Sequence, residues 1–182
     1  MKALVLAVSV VALSAALPAS AGIMTVGGSY AEGCYRAAEQ RNATLESLGT
    51  CDRAFTEQAL SFDDELATYV NRGILRMIRS DFKRADADFT TAIAMDPKRS
   101  EPYLNMAILR FNQRKSAEAL PLFSKALELG TQRPEIAYFG RGLANEDLGN
   151  VKAAYADLQR AVALKPKWAE PARELARYQV RR

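Results

Sequence analysis

Apolar residues recur between residues 66 and 168 with the spacing of amphipathic helices, and this pattern itself repeats along the chain. Gly73 and Gly142 are 69 residues apart, which is two intervals of about 34 residues with one residue added. A fixed interval of this length is typical of helix pairs that stack, because a single pair cannot bury its apolar face alone. The pattern predicts an all-α chain built from antiparallel helix pairs.

Three copies of the pattern align on their small and aromatic positions. The first copy contains Tyr69, Gly73, Phe82, Ala85, Phe89, Ala92 and Pro97. The middle copy contains Tyr103, Ala107, Ala119, Phe123 and Ala126, and the last contains Tyr138, Gly142, Gly149, Ala154, Leu158, Ala161 and Pro166. Glycine and alanine in these slots let two helices approach closely, while aromatic and branched residues fill the remaining volume. These residue types at these intervals resemble the signature of the tetratricopeptide-repeat (TPR) family.

The resemblance implies a right-handed TPR solenoid of antiparallel helix pairs with a C-terminal capping helix. The expected units are a degenerate helix pair at 32–65, three TPR units at 66–99, 100–134 and 135–168, and the capping helix at 169–182. The cap is expected because a solenoid exposes its last apolar face unless something covers it. Trp168 is expected to pack beneath this cap.

The first 21 residues predict a signal peptide. One lysine precedes an uncharged apolar run from Ala3 to Leu17, which is shorter than the roughly 20 residues that span a membrane. Ala19-Ser20-Ala21 then offers a small-x-small cleavage site, with Gly22 as the new N-terminus. We therefore expect an exported bacterial protein, periplasmic or secreted, with a flexible segment at 22–31 and no stable membrane insertion after cleavage. The alternative is an uncleaved N-terminal anchor.

Two cysteines, Cys34 and Cys51, lie one in each helix of the degenerate pair, which we expect at about 32–43 and 50–60. An even number of cysteines in an exported protein favours a disulfide. With these bounds, Cys34 reaches Cys51 only if the second helix begins earlier or the first helix is shorter. A redox-active site is the weaker interpretation, because the Cys-x-x-Cys spacing that lowers a thiol pKa is absent.

Composition argues against an enzyme. The sequence contains no histidine, which removes imidazole bases, Ser-His-Asp arrangements and histidine metal ligands. Two cysteines are too few for a cysteine-type zinc site, so we expect no metal and no cofactor. The formal charge is +4, from 25 basic and 21 acidic residues, and is taken as a mild surplus spread along the chain. Such a surplus does not indicate nucleic-acid binding.

The TPR resemblance implies a partner groove lined by the first helix of each unit. The groove slots of the family fall on Val70, Ile74, Met77, Leu104, Ile108, Phe111, Phe139 and Leu143, with Asn71 and Asn105 in the slot of a ligand-binding amide. A soluble monomer rarely leaves an apolar strip of this size exposed to water, so we expect another segment or molecule to cover it. The cover could be a protein or peptide partner, a second copy of the chain, or the chain's own segment 22–30.

Two positions sixteen residues apart in each repeat are both charged in the first and last copies and both apolar in the middle copy. Arg72 is followed sixteen residues later by Asp88, and Arg141 by Asp157, whereas the middle copy has Met106 and Leu122 in the same slots. No copy mixes the two kinds. This predicts a contact between the two helices of each repeat, ionic in two repeats and apolar in one.

Overall fold

The computed structural model describes residues 29–178, and within them the chain forms nine helices and no strand. The helices are α1 (Ser29–Glu39), α2 (Leu45–Glu57), α3 (Phe62–Ile78), α4 (Phe82–Met95), α5 (Ser100–Asn112), α6 (Ser116–Glu128), α7 (Pro134–Asp147), α8 (Val151–Leu164) and α9 (Ala169–Ala176). The predicted signal peptide lies outside the described residues, as do 22–28 and 179–182.

The helices are arranged as a stack of antiparallel pairs. Turns of three to five residues join successive helices, so α1 packs on α2, α3 on α4, α5 on α6 and α7 on α8. The first helices of neighbouring pairs also contact one another, α1 with α3, α3 with α5 and α5 with α7, and α9 packs on α8. The predicted all-α solenoid is confirmed.

Three equivalent turns close the pairs α3–α4, α5–α6 and α7–α8. Ser80, Arg114 and Gly149 occupy the middle of these turns with φ of 62°, 63° and 78°. After the first turn, the amide of Asp81 donates to the carbonyl of Arg76 at 2.9 Å, which satisfies a carbonyl at the end of α3. Only Gly149 adopts this left-handed conformation without steric cost, because it has no Cβ.

Small residues lie opposite the large side chains of the core, as the repeat pattern predicts. A Cβ added at Gly73 would lie 2.5 Å from Cε1 of Phe89, and one at Gly142 would lie 3.2 Å from Cγ of Leu158. Phe89 and Leu158 are fully buried. Their side chains therefore take the space that a larger residue at either glycine would need.

The first pair begins earlier than predicted. The helix α1 starts at Ser29, so the last three residues of the expected flexible segment 22–31 are helical, and α2 starts at Leu45 rather than near residue 50. Thr44 fixes this start, since its hydroxyl accepts a hydrogen bond from the amide of Ser47 at 3.0 Å. The helix α3 likewise begins at Phe62, four residues before the expected boundary of the first TPR unit.

The last helix, α9, closes the C-terminal end of the stack. The ring of Trp168, which immediately precedes α9, meets the ring of Phe139 edge to face with centroids 4.9 Å apart. Pro171 is buried, and Tyr178 lies 5.8 Å from Tyr155 of α8 between ring centroids. These contacts place aromatic side chains beneath α9, as the sequence predicts for Trp168.

Candidate binding surfaces and the repeat family

Nine of the ten side chains that the sequence assigns to a groove are buried, with exposed fractions between 0% and 6%. They are Val70, Asn71, Ile74, Met77, Leu104, Asn105, Ile108, Phe139 and Leu143. The first helices of neighbouring pairs contact one another, and the apolar members of the set belong to the common core. Along the described residues these nine side chains therefore do not form an open strip, and their role in binding stays a prediction.

Phe111 is the exception among the ten. It lies in the last turn of α5 and is half-buried against the core, so part of its ring remains accessible. An aromatic side chain with one accessible face can contact a partner without any change in the core. Phe111 is the member of the predicted groove that the structure leaves available.

The two asparagines predicted to bind a ligand backbone are also fully buried. The side-chain amide of Asn105 donates to the carbonyl of Glu101 one turn earlier, at 3.0 Å. The expected ligand-binding amide is thus engaged within its own helix. The equivalent position of the next repeat is Gly140, where a Cβ would lie 2.3 Å from Cζ of Phe123.

The first helix pair is joined by a disulfide between Cys34 and Cys51. The sulfur atoms are 2.06 Å apart, the Cα atoms are 4.8 Å apart, and both residues are fully buried. The earlier start of α2 resolves the geometric difficulty found in the sequence, because it places Cys51 in the second turn of that helix, opposite Cys34. The predicted pairing is confirmed.

A charged cluster joins the disulfide-linked pair to the second pair. Both Arg72 and Arg76 bond to the buried carboxylate of Asp88, at 2.8 Å and 2.7 Å. Arg72 also reaches Asp52, the residue after Cys51, at 2.7 Å, and its guanidinium lies 4.5 Å from the ring centroid of Phe55. Burial lowers the pKa of Arg72, but the bonds to Asp88 and Asp52 outweigh this and raise the pKa above its ordinary value.

The fourth pair contains the second predicted ionic contact. Arg141 donates two hydrogen bonds to Asp157, at 2.8 Å from Nε and 2.7 Å from Nη2. These bonds raise the pKa of Arg141 despite its partial burial. Met106 and Leu122, the residues in the same slots of the third pair, belong to the apolar core or pack on it. The two predicted ionic contacts are confirmed, and the apolar contact between Met106 and Leu122 stays a prediction.

Sequence reasoning missed a second recurring slot, four residues after Arg72. Arg76 and its equivalent Arg110 are 34 residues apart, and this recurrence could have revealed them. Arg110 bonds to Asp86 of α4 at 2.5 Å and to Glu118 of α6 at 3.1 Å. It therefore ties the third pair to the second as well as joining its own helices.

Metal sites and membrane-spanning helices are two further features that a binding or envelope protein could contain. Over residues 29–178, no three histidine, cysteine, aspartate or glutamate side chains come together in a way that could hold a metal ion. In the same part of the chain, no helix has the length and apolar character needed to cross a membrane.

The comparison with known families agrees with the geometry of the stack. Residues 104–167 match the tetratricopeptide-repeat family, from α5 to the turn after α8. This segment, which contains two of the helix pairs, therefore matches the TPR signature. The pair α3–α4 has the same small and large slots, as Gly73 and Phe89 show, although it lies outside the matched range.

Solved structures extend the likeness beyond the matched repeats. A MamA RS-1 double mutant superposes with a TM-score of 0.64 at 19% identity, covering 81% of this chain and 82% of that one. A MamA MSR-1 structure gives a TM-score of 0.64 at 18% identity, with the same coverage of 81% and 82%. At this level of identity the likeness concerns the fold. No curated protein matches the sequence.

Proposed function

We propose that this TPR protein is a scaffold that holds another protein in the cell envelope or outside the cell. The observation that carries the proposal is the stack of four helix pairs, two of which match the TPR family. Such stacks present an extended surface and are generally scaffolds for protein interactions rather than enzymes. The absence of histidine from the sequence supports a binding role over a catalytic one.

The proposed location rests on the N-terminal sequence and on the cysteines. Residues 1–21 have the apolar run and small-residue site of a leader cleaved after Ala21. The disulfide between Cys34 and Cys51 supports export, since disulfides persist in oxidising compartments and are rare in the cytosol.

The finer proposal is that a protein or peptide segment with apolar side chains binds along the face of the first helices and contacts Phe111. The alternative is a self-associating structural module of the cell envelope whose groove is filled by its own chain. One observation favours that alternative: nine of the ten groove side chains are already buried in this chain. A face that is already covered leaves less apolar area for a different protein.

Site-specific photo-crosslinking in living cells tests the binding role. A photoreactive phenylalanine at position 111 is compared with one at Lys83, an exposed residue on α4. The proposal predicts a defined adduct from position 111 that position 83 does not give. An adduct with another protein supports the adaptor, and an adduct with a second copy supports the alternative. No adduct at position 111, or the same adducts at both positions, would contradict both.

A variant of Ile108 is not a clean probe of the groove. Ile108 is fully buried, so Ile108→Asp would place an unpaired charge in the core and unfold the stack. Phe111→Ser avoids this difficulty because the ring is only half-buried.

The proposed export has a direct test. Mass spectrometry of the protein recovered from the periplasmic fraction or the medium should give Gly22 as the first residue. Recovery from the cytosol with residues 1–21 intact would overturn this part of the proposal without affecting the scaffold role.

A further inference from the structure

The two ends of the stack carry opposite charge. Residues 29–57, which form the first helix pair, contain five acidic and three basic residues. Residues 148–178, which include α8 and α9, contain six basic and three acidic residues. The expectation of a surplus spread along the chain is therefore wrong, because the net charge hides two regions of opposite sign.

At the first end, two glutamates flank an exposed leucine. Glu39 is the last residue of α1, and Leu45 and Glu46 begin α2 after a five-residue turn. Leu45 is 72% exposed, and both glutamates are exposed. Within residues 29–178 neither glutamate forms an ion pair. We call Glu39, Leu45 and Glu46 the acidic edge.

At the other end, two cations flank a second exposed leucine. Arg160 and Leu164 are four residues apart in α8 and so lie on the same side of that helix. Lys167 follows in the next turn, and Leu164 is 50% exposed. Neither cation forms an ion pair along the described part of the chain. We call Arg160, Leu164 and Lys167 the basic edge.

The two edges of one molecule do not meet. They lie on the first and the last pair, which are separated by the pairs α3–α4 and α5–α6. Three steps between neighbouring first helices, each about 10 Å, place the ends roughly 30 Å apart. This separation exceeds the distance over which charges interact at physiological ionic strength, about 8 Å. Complementary edges that cannot neutralise each other within one chain can do so between chains.

We propose that this TPR protein associates head to tail, with the acidic edge of one copy bound to the basic edge of the next. The proposal rests on the scaffold function above and adds a second copy of the chain as a partner at the two ends of the stack, apart from the face that contains Phe111. Each edge has two like charges beside an exposed leucine, so contact neutralises these charges and buries both leucines. Arg41 lies in the turn between Glu39 and Leu45, so residues 39–46 together have a net charge of −1. Because the two surfaces differ, the contact is head to tail, and it produces open chains or closed rings of several copies rather than a two-fold symmetric dimer.

The charge pattern favours a second copy over an anionic polymer or membrane. A nucleic acid or an anionic lipid surface would neutralise the basic edge and leave the acidic edge exposed. A second copy uses both edges through one kind of contact.

Light scattering on the purified full chain tests the proposal. In about 0.02 M salt we expect the average mass to rise steadily with protein concentration, and in about 0.5 M salt to fall toward that of a monomer, since salt screens exposed charges. Glu39→Lys with Glu46→Lys, or Arg160→Glu with Lys167→Glu, should each weaken association by roughly tenfold or more, because like charges then face each other.

Mixing the two charge-reversed variants provides the decisive measurement. One variant has two basic edges and the other has two acidic edges, so each stays monomeric alone while an equimolar mixture associates again. A merely structural effect of the substitutions would not be rescued by mixing. The matched control is Lys83→Glu with Lys98→Glu, which changes the charge equally at exposed cations of the second pair and should leave association unchanged.

Three results would overturn the proposal. They are a wild-type protein that is monomeric in low salt, charge-reversed variants that associate as the wild type does, and a mixture that stays monomeric. Binding of the basic-edge region to anionic vesicles or to DNA with no self-association would assign that edge to a different partner. Any of these outcomes leaves the scaffold function intact if Phe111 still crosslinks to another protein.

Discussion

The first helix pair and the three TPR pairs are stabilised by different interactions between their two helices. In the TPR pairs, large side chains such as Phe89 and Phe123 fill the space opposite glycines. In the first pair, the buried apolar side chains are small: alanines and the two half-cystines, Cys34 and Cys51. A pair with so little apolar volume gains little from the hydrophobic effect. The disulfide and the contacts of Arg72 contribute stability that the small apolar interior of the first pair does not.

A helix pair can therefore pack into this stack without the full repeat signature. The first pair keeps the helical hairpin and its place in the stack without the glycine slot, and Phe55, 34 residues before Phe89, is only partly buried. It also differs in its dependence on surroundings, because a disulfide responds to reducing agents while a packed phenylalanine does not.

Phe89→Ala should lower the free energy of unfolding by about 4 kcal/mol, since it removes a fully buried aromatic ring and leaves a cavity beside Gly73. Chemical denaturation measures the loss. Phe62→Ala is the matched control, because that ring is 56% exposed, and we expect a change within about 0.5 kcal/mol. Similar losses in the two variants would show that the TPR pairs do not depend on this packing.

Replacing both Cys34 and Cys51 by alanine should cost about 3 kcal/mol, in line with the loop that the disulfide closes. The loss should be largest in the first pair, because the disulfide joins α1 to α2 and links no other helices. Hydrogen exchange would show α1 and α2 losing protection while α5 to α8 keep theirs. A reducing agent should reproduce the effect in the wild type and do nothing further to the variant. Equal loss of protection in all pairs would contradict the comparison.

The ionic contact of the fourth pair can be converted to the apolar contact of the third. Asp157→Leu alone should destabilise the protein by about 2 kcal/mol, because it leaves the half-buried Arg141 unpaired. The double variant with Arg141→Met should return to within about 1 kcal/mol of the wild type, since apolar replacement of a buried ion pair is often neutral. Additive losses in urea denaturation would show that the two slots do not form one unit.

Tyr178 provides a pH-dependent probe of the C-terminal cap. Burial, together with the nearby carboxylate of Glu146, raises the pKa of Tyr178 from 10.0 to about 12. The folded state holds this proton more tightly than the unfolded state, so the contribution to stability is complete below pH 10 and is lost as the pH rises toward 12. Melting temperatures between pH 10 and 12 should fall less steeply in Tyr178→Phe. Identical slopes would place the tyrosine outside the folded cap.

The contacts that could be predicted from the sequence lie mostly inside one repeat. Arg72 with Asp88, and Arg141 with Asp157, are pairs of slots sixteen residues apart, and the repeat fixes both the spacing and the two helices. The close approach at Gly73 was predicted for the same reason. These contacts depend on a local helical hairpin, which the 34-residue interval determines.

The contacts that could not be predicted lie between pairs. Phe123 packs against Gly140 across the junction of α6 and α7, and Arg110 reaches back to Asp86 of the preceding pair. Neither contact is part of the signature, because the signature describes one repeat and not the angle at which the next repeat joins it. The signature also does not show that Ile108 is buried: it assigns this residue to a groove, whereas in the stack it is fully buried in the common core.

The repeat pattern is enough to predict the architecture of this protein, because a periodic pattern of small and large residues leaves few other ways to bury its apolar faces. The cysteine pairing also follows from the sequence, which contains only Cys34 and Cys51. Which side chains remain accessible depends on the packed stack, because the exposure of a residue depends on all of its neighbours. The same stacking that buries the predicted groove sets Glu46 and Arg160 at opposite ends of the molecule, where each is available to another copy.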